Sequence, residues 1–142
     1  MSPVVPGQAV GINLIPFAGW PHNLRLCNGT VELISTLDVG PRILSCAQPG
    51  GTNPFKQYAE QAGGVGEPIW RNRGGHRLWI APESLDLTYH PDNAPVAWKQ
   101  PSRKFFRLRQ DTTRPATKIG LPHPLGWSAY HVGEVCFVKR YP

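Results

Sequence analysis

The sequence predicts a mostly β domain, an antiparallel sandwich with at most one short helix. Three observations carry this expectation. Proline and glycine make up 31 of the 142 residues, against an average usage near 12%, so the chain is broken often and long helices have little room. Between the breakers lie short stretches in which apolar and polar residues alternate, the period of a half-buried strand. Neither an internal repeat nor a low-complexity tail interrupts the pattern. The length suits one compact core that needs no disulfides. The expected organisation is therefore a single β-rich domain over 1–142, opening on an irregular segment over 1–20.

The clearest element is "NLRLCNGTVELIST". Leu24 and Leu26 alternate with Arg25 and Cys27, then Val31 and Leu33 with Glu32 and Ile34, and Asn28-Gly29 between them suits the two positive-φ positions of a type I′ hairpin turn. "DVGPRILSCAQ" supplies a third strand after the Gly40-Pro41 break, with Ile43 and Leu44 as core candidates. In "TNPFKQYAEQAGG" the spacing of Phe55, Tyr58, Ala59 and Ala62 predicts one or two helical turns, capped by Asn53 and ended by Gly63. "GGHRLWIAPE" enters a strand through two glycines, placing Leu78 and Ile80 on one side and Arg77 and Trp79 on the other. Further strands are expected in "VAWKQ", "KFFRLRQ" and "WSAYHVGEVCFVKRY", the last turning at Val132-Gly133.

Charge and cysteine usage bound the partners. Fifteen Lys and Arg against nine Asp and Glu leave a formal net charge of +6, and a pI near 9.6 favours anionic partners. Cys27, Cys46 and Cys136 show no paired or metal-ligand spacing, the usage of free thiols in a reducing compartment. The first twenty residues have no basic run and are broken by Pro3, Pro6 and Pro16, so neither a signal peptide nor a membrane span is expected and the expected location is cytoplasmic. No metal and no cofactor is assigned, because His90, His123 and His131 lack ligand spacing.

The densest chemistry lies in "WRNRGGHRLWIAPE", residues 70–83. Sugar sites combine flat apolar rings, which cover the carbon face of a pyranose, with Arg, Asn, His and carboxylates around its hydroxyls. Trp70, Arg71, Arg73, Arg77 and Trp79 are the ligand-binding candidates here. The competing account makes Trp70 and Trp79 core residues with the arginines solvated or stacked on them. For proton transfer, His76 is the candidate acid, Glu83 the candidate base, and Asp92 lies nearby in "TYHPDN". A second candidate site is "KQPSRKFFRLRQ", in which Lys99, Arg103, Lys104, Arg107 and Arg109 interleave with Phe105 and Phe106, the ingredients of a single-strand nucleic-acid groove. Its competitor is an ordinary strand with Phe106 and Leu108 inward and Arg107 and Arg109 outward.

In order along the chain, "NGTVELISTLDVGPRI", "NPFKQYAEQAGGVG", "WRNRGGHRLWIAPE", "TYHPDNAPV", "RLRQD", "KIGLPHPLGWSAY" and "FVKRYP" resemble an uncharacterised branch of the galactose-mutarotase-like, or aldose 1-epimerase-like, proteins. "GGHRLW" followed by "APE" is the most specific part. The resemblance implies a β-supersandwich with a carbohydrate site in an open cleft. It also implies a chain shortened by a gap between "PVAWKQ" and "PSRKFF" and by a part beyond "FVKRYP", where the family's late catalytic glutamate would lie. His76 would be the acid toward the ring oxygen, Arg42 and Arg77 ligand-side arginines, and Asp92, Asn93 and Lys139 further ligand-side groups. The expected function is carbohydrate binding, with any activity that of a cofactor-free mutarotase (an isomerase). Two alternatives stand beside it: a basic nucleic-acid or anion-binding module, and a non-catalytic subunit, for instance a homodimer, pairing through exposed sheet edges.

Overall fold

A computed structural model describes residues 11–77, 79, 83, 85–102, 105–111, 128–132 and 135–140. Two β-sheets dominate it. The first runs in chain order through β1 (Gly11–Phe17), β2 (Trp20–Cys27), β3 (Glu32–Thr36), β4 (Arg42–Ala47) and β5 (His76–Arg77), each antiparallel to the next. The second contains β6 (Ala97–Ser102), β7 (Phe105–Asp111), β8 (Ser128–Val132) and β9 (Val135–Arg140), in the order β6-β7-β9-β8. One pairing departs from the antiparallel expectation: β7 and β9 are parallel. Such a pair needs a crossover of a dozen residues or more, which the chain between Asp111 and Val135 provides.

Three hairpins join β1 to β4 in the first sheet, and in the first two the turn chemistry is distributed differently from expectation. Residues 11–17, expected to be irregular, form an edge strand whose turn is Ala18-Gly19. Both turn residues have positive φ, 48° and 83°, the requirement of a primed two-residue hairpin turn. At Asn28-Gly29 only the glycine is left-handed. The Asn28 side-chain oxygen instead accepts the amides of Thr30 and Val31 at 3.0 and 2.8 Å, so the asparagine closes the turn with its side chain and Val31 falls just outside β3.

The predicted helix over 53–63 reduces to a single 3₁₀ turn, Ala59–Gln61. Tertiary contacts account for the loss. The Asn53 amide donates to the Leu44 carbonyl at 2.9 Å, Gln57 bridges to Gly74, and Phe55 packs on the core. A segment of this length has too little intrinsic helix stability to resist them. One short helix does occur, α1 (Leu85–Thr88), where none was expected.

Both sheets contribute to one apolar core. Leu24, Leu26 and Ile43 from the first sheet cluster with Phe106 and Leu108 from β7 and with Val96, each fully buried side chain contributing about 1.5–3 kcal/mol. Strand registers sort the site residues between faces. Leu24, Ser35, Ile43 and His76 lie opposite one another on the core face, whereas Asn23, Thr36, Arg42 and Arg77 share the other.

Candidate functional site

The second face of the first sheet holds a layer of buried arginines. Arg42, Arg73 and Arg77 are 1, 1 and 5% exposed, far below the usual exposure of arginine, so each must find partners to offset the loss of water. Asp92, itself buried, serves two of them: its Oδ2 lies 3.7 Å from Arg42 Nη2 and 3.5 Å from Arg77 Nε. Arg42 also donates from Nη1 to the carbonyls of Asn72 and Gly74. Arg73 donates to Glu67 and, at 3.0 Å each, to the Gln61 carbonyl and the Asn93 side chain. Asn93 in turn donates to the Glu67 and Ile69 carbonyls at 2.8 Å. The network ties the paired strands β4 and β5, which carry Arg42 and Arg77, to the 3₁₀ turn at Gln61, to the segment from Glu67 to Gly74 and to the Asp92-Asn93 loop.

The backbone that reaches Arg42 is unusual. Arg73, Gly74 and Gly75 have φ of 52°, 77° and 69°, three consecutive left-handed residues. A Cβ on Gly74 would overlap the Lys56 carbonyl oxygen, and one on Gly75 the Ile43 carbonyl oxygen. The glycine pair is therefore required by close approach as well as by φ. Burial pulls the Arg42 guanidinium down to about 10, Asp92 opposes that, and Arg77 and Arg73 add to it. Arg42 remains protonated at neutral pH, and the burial penalty is relieved only as pH rises above about 10 toward the ordinary arginine range.

Glu67 is the second acid of the layer. Partial burial raises its pKa, but its own backbone amide and the Arg73 hydrogen bond outweigh that and leave it below 4.5. Lowering an acid's folded-state value adds stability above its unfolded value, and this is lost as pH falls through the folded value. Glu67→Gln should therefore lie below the wild type in urea unfolding at pH 7. The gap should close as the pH is taken below 4.5; a gap independent of pH would count against the charge-assisted bond.

Beside the arginines stands an aromatic cluster. Trp70, Trp79 and Tyr89 touch pairwise, with centroid separations of 6.1, 5.1 and 5.9 Å, the latter two edge-to-face. The Arg77 guanidinium carbon sits 4.5 Å from the Trp79 centroid and 5.5 Å from that of Trp70, within cation–π range. Arg77 and Trp79 are thus in contact, although Trp79 lies beyond the end of β5. Arg77 nevertheless acts as a buried support, while the Trp79 ring is 45% exposed. Arg71 and Glu83 are exposed, and Glu83 accepts a hydrogen bond from the Tyr89 hydroxyl, which raises the tyrosine's pKa.

His76 occupies a different place. Its ring stacks on Phe55 at 6.4 Å, on the core side of β5, while Glu83 belongs with the rings on the other side. Arg42, Arg73, Arg77, Asp92 and Asn93, expected as ligand groups, are interior braces. Trp70 is half-buried; Trp79, Arg71 and Glu83 are the candidates that face outward. Lys139 pairs through its backbone with Gln110 and Ser128, and its side chain lies outside the described residues. Sequence reasoning missed Tyr89, whose only signal was its position in "TYHPDN". It also missed an open pocket of about 460 Å³ lined by Asp38, Val65, Glu67, Pro91, Asn93 and Pro95, among others, beside the Glu67–Arg73 end of the layer.

Among the described residues no group of His, Cys, Asp and Glu is placed to hold a metal ion, and no helix is long and apolar enough to cross a membrane. No family model, curated protein or solved structure matches the chain.

Proposed function

We propose that this chain is a carbohydrate-binding protein of the galactose-mutarotase-like kind, with the sugar stacked on Trp79. One observation carries the reading: a half-exposed indole, held from behind by Arg77 and from the sides by Trp70 and Tyr89, with Arg71 and Glu83 as exposed polar neighbours. Such a ring presents apolar area at little entropic cost, because its rotamer is already fixed by packing. The charged groups beside it can exchange hydrogen bonds with hydroxyls.

Binding ranks ahead of ring opening on geometric grounds. Mutarotation needs an acid and a base converging on one sugar ring, and His76 and Glu83 sit on opposite sides of β5. The test is a calorimetric titration with a panel of hexoses and pentoses. At least one sugar is expected to bind, and Trp79→Ala is expected to weaken it about 10-fold or more, about 1.4 kcal/mol. His76→Ala is expected to leave the affinity unchanged. The reading fails if no sugar binds, or if Trp79→Ala binds as the wild type does.

A further inference from the structure

β1 is an edge strand without the usual protection. It pairs with β2 on one side, and among the described residues no strand pairs with it on the other. Sheet edges are ordinarily kept from pairing by brevity, by Lys or by Pro: β5 has 2 residues, and β6 carries Lys99 and Pro101. β1 runs for 7 residues, "GINLIPF", with no charged side chain and with Pro16 only near its end. The neighbouring hairpin fixes which of its backbone groups are open. The Asn28 amide donates to the Val31 carbonyl and the Leu37 amide to the His22 carbonyl, so in β2 the even-numbered residues face β3 and the odd-numbered ones face β1. Cys27, Arg25 and Asn23 stand opposite Gly11, Asn13 and Ile15, which leaves the amides and carbonyls of Ile12 and Leu14 pointing out of the sheet. The side chains add an uncovered apolar step. Leu14 lies across from Leu24 on the core face, yet it is 62% exposed where Leu24 is 1%.

We infer that β1 is a homodimer interface: two copies of this chain pair their β1 strands antiparallel about a two-fold axis at Asn13, joining the two first sheets into one. In that register Ile12 of each copy lies opposite Leu14 of the other, and both residues donate and accept across the junction. Pro16, which has no N–H, is not required to donate, as it would be in a register centred on Leu14. Leu14 gains Ile12 of the other copy as an apolar neighbour on the core face. Charge selects a second copy as the occupant. The chain has a formal net charge of +6, so most of its surface repels its own kind, whereas β1 meets β1 with no charge on either strand. Asn13 faces Asn13 as an amide pair, and Arg25, next in the row, is held by Glu32 at 2.6 Å. The two-fold contact is closed, so association stops at two copies. β5 lies at the opposite end of the strand order, so the joined sheet leaves the Trp79 surface uncovered and sets the two β5 strands about 40 Å apart.

The experiment is light scattering of the full chain after size exclusion, at about 1–100 μM, the range expected of an interface this small. The wild type should approach twice the mass of one chain as its concentration rises. Leu14→Lys places an ammonium group at the joined edge, and Leu14→Pro removes the outward amide without breaking a β1–β2 bond; both should remain monomers throughout. The Leu14 side chain is 62% exposed, so both variants are expected to fold, which far-UV circular dichroism checks. If the proline unfolds the chain, the lysine variant decides alone. Leu85→Lys replaces a leucine that is 83% exposed in α1 and should dimerise as the wild type does. A wild type that stays monomeric at about 100 μM, a dimer that survives either substitution at Leu14, or a monomeric Leu85→Lys would each overturn the inference.

Discussion

Asp92→Ala is expected to cost about 3–5 kcal/mol, read as a large fall in the urea midpoint with little change in slope. The wild-type cluster sets two buried guanidiniums, Arg42 and Arg77, against this carboxylate at 3.5–3.7 Å. Removing it leaves like charges side by side in a desolvated layer where Arg73 already adds to the repulsion. Against a total stability of typically 5–15 kcal/mol the loss is large. Asp92→Asn keeps the shape and loses only the charge, so it should retain most of the defect. A variant that unfolds at the wild-type midpoint would mean that the arginines are stabilised by other groups.

The second large effect is expected at the glycine pair. Gly74→Ala places a methyl group against the Lys56 carbonyl oxygen and puts an alanine at φ 77°. The left-handed backbone alone costs on the order of 1–2 kcal/mol, and relieving the overlap has to move the segment that carries the Gly74 carbonyl, one of the acceptors of Arg42. A loss of about 3 kcal/mol or more is expected. Gly66→Ala is the matched control: its φ is 71°, but nothing lies near an added Cβ. It should show the backbone cost alone. Equal losses at the two positions would remove the argument from close approach.

The parts of the fold that were legible in the sequence are those written in local alternation. Strands β2 and β7 carry an apolar period that survives folding, whereas β3, β4 and β6 are marked in the sequence chiefly by the turn residues that bound them. β1 was not legible, because "GINLIPF" holds no clean alternation, and its turn is marked only by Ala18-Gly19. The helix over 53–63 was misread because its apolar spacing is met equally well by a loop whose Asn53 and Gln57 side chains both donate to the Leu44 carbonyl.

The site divides in the same way. That a cluster of rings and guanidiniums existed was visible in fourteen residues. Which of them faced water was not, because burial of Arg42 and Arg73 is decided by Asp92, Glu67 and Asn93, reached through loops that no local pattern describes. Tyr89 escaped notice for the same reason. The parallel β7–β9 pairing is a matter of chain crossover, on which strand periodicity has no bearing.

The arginine layer is an internal brace beneath the aromatic surface. A double-mutant cycle in urea between Arg42→Met and Asp92→Ala tests it most directly. Arg42→Met alone leaves Asp92 paired with Arg77 and should cost less than Asp92→Ala, while the double variant no longer confines two guanidiniums without their carboxylate. A coupling energy of about 1–3 kcal/mol between the two positions is expected; losses that add to within about 0.5 kcal/mol would mean that Arg42 and Asp92 do not brace one another.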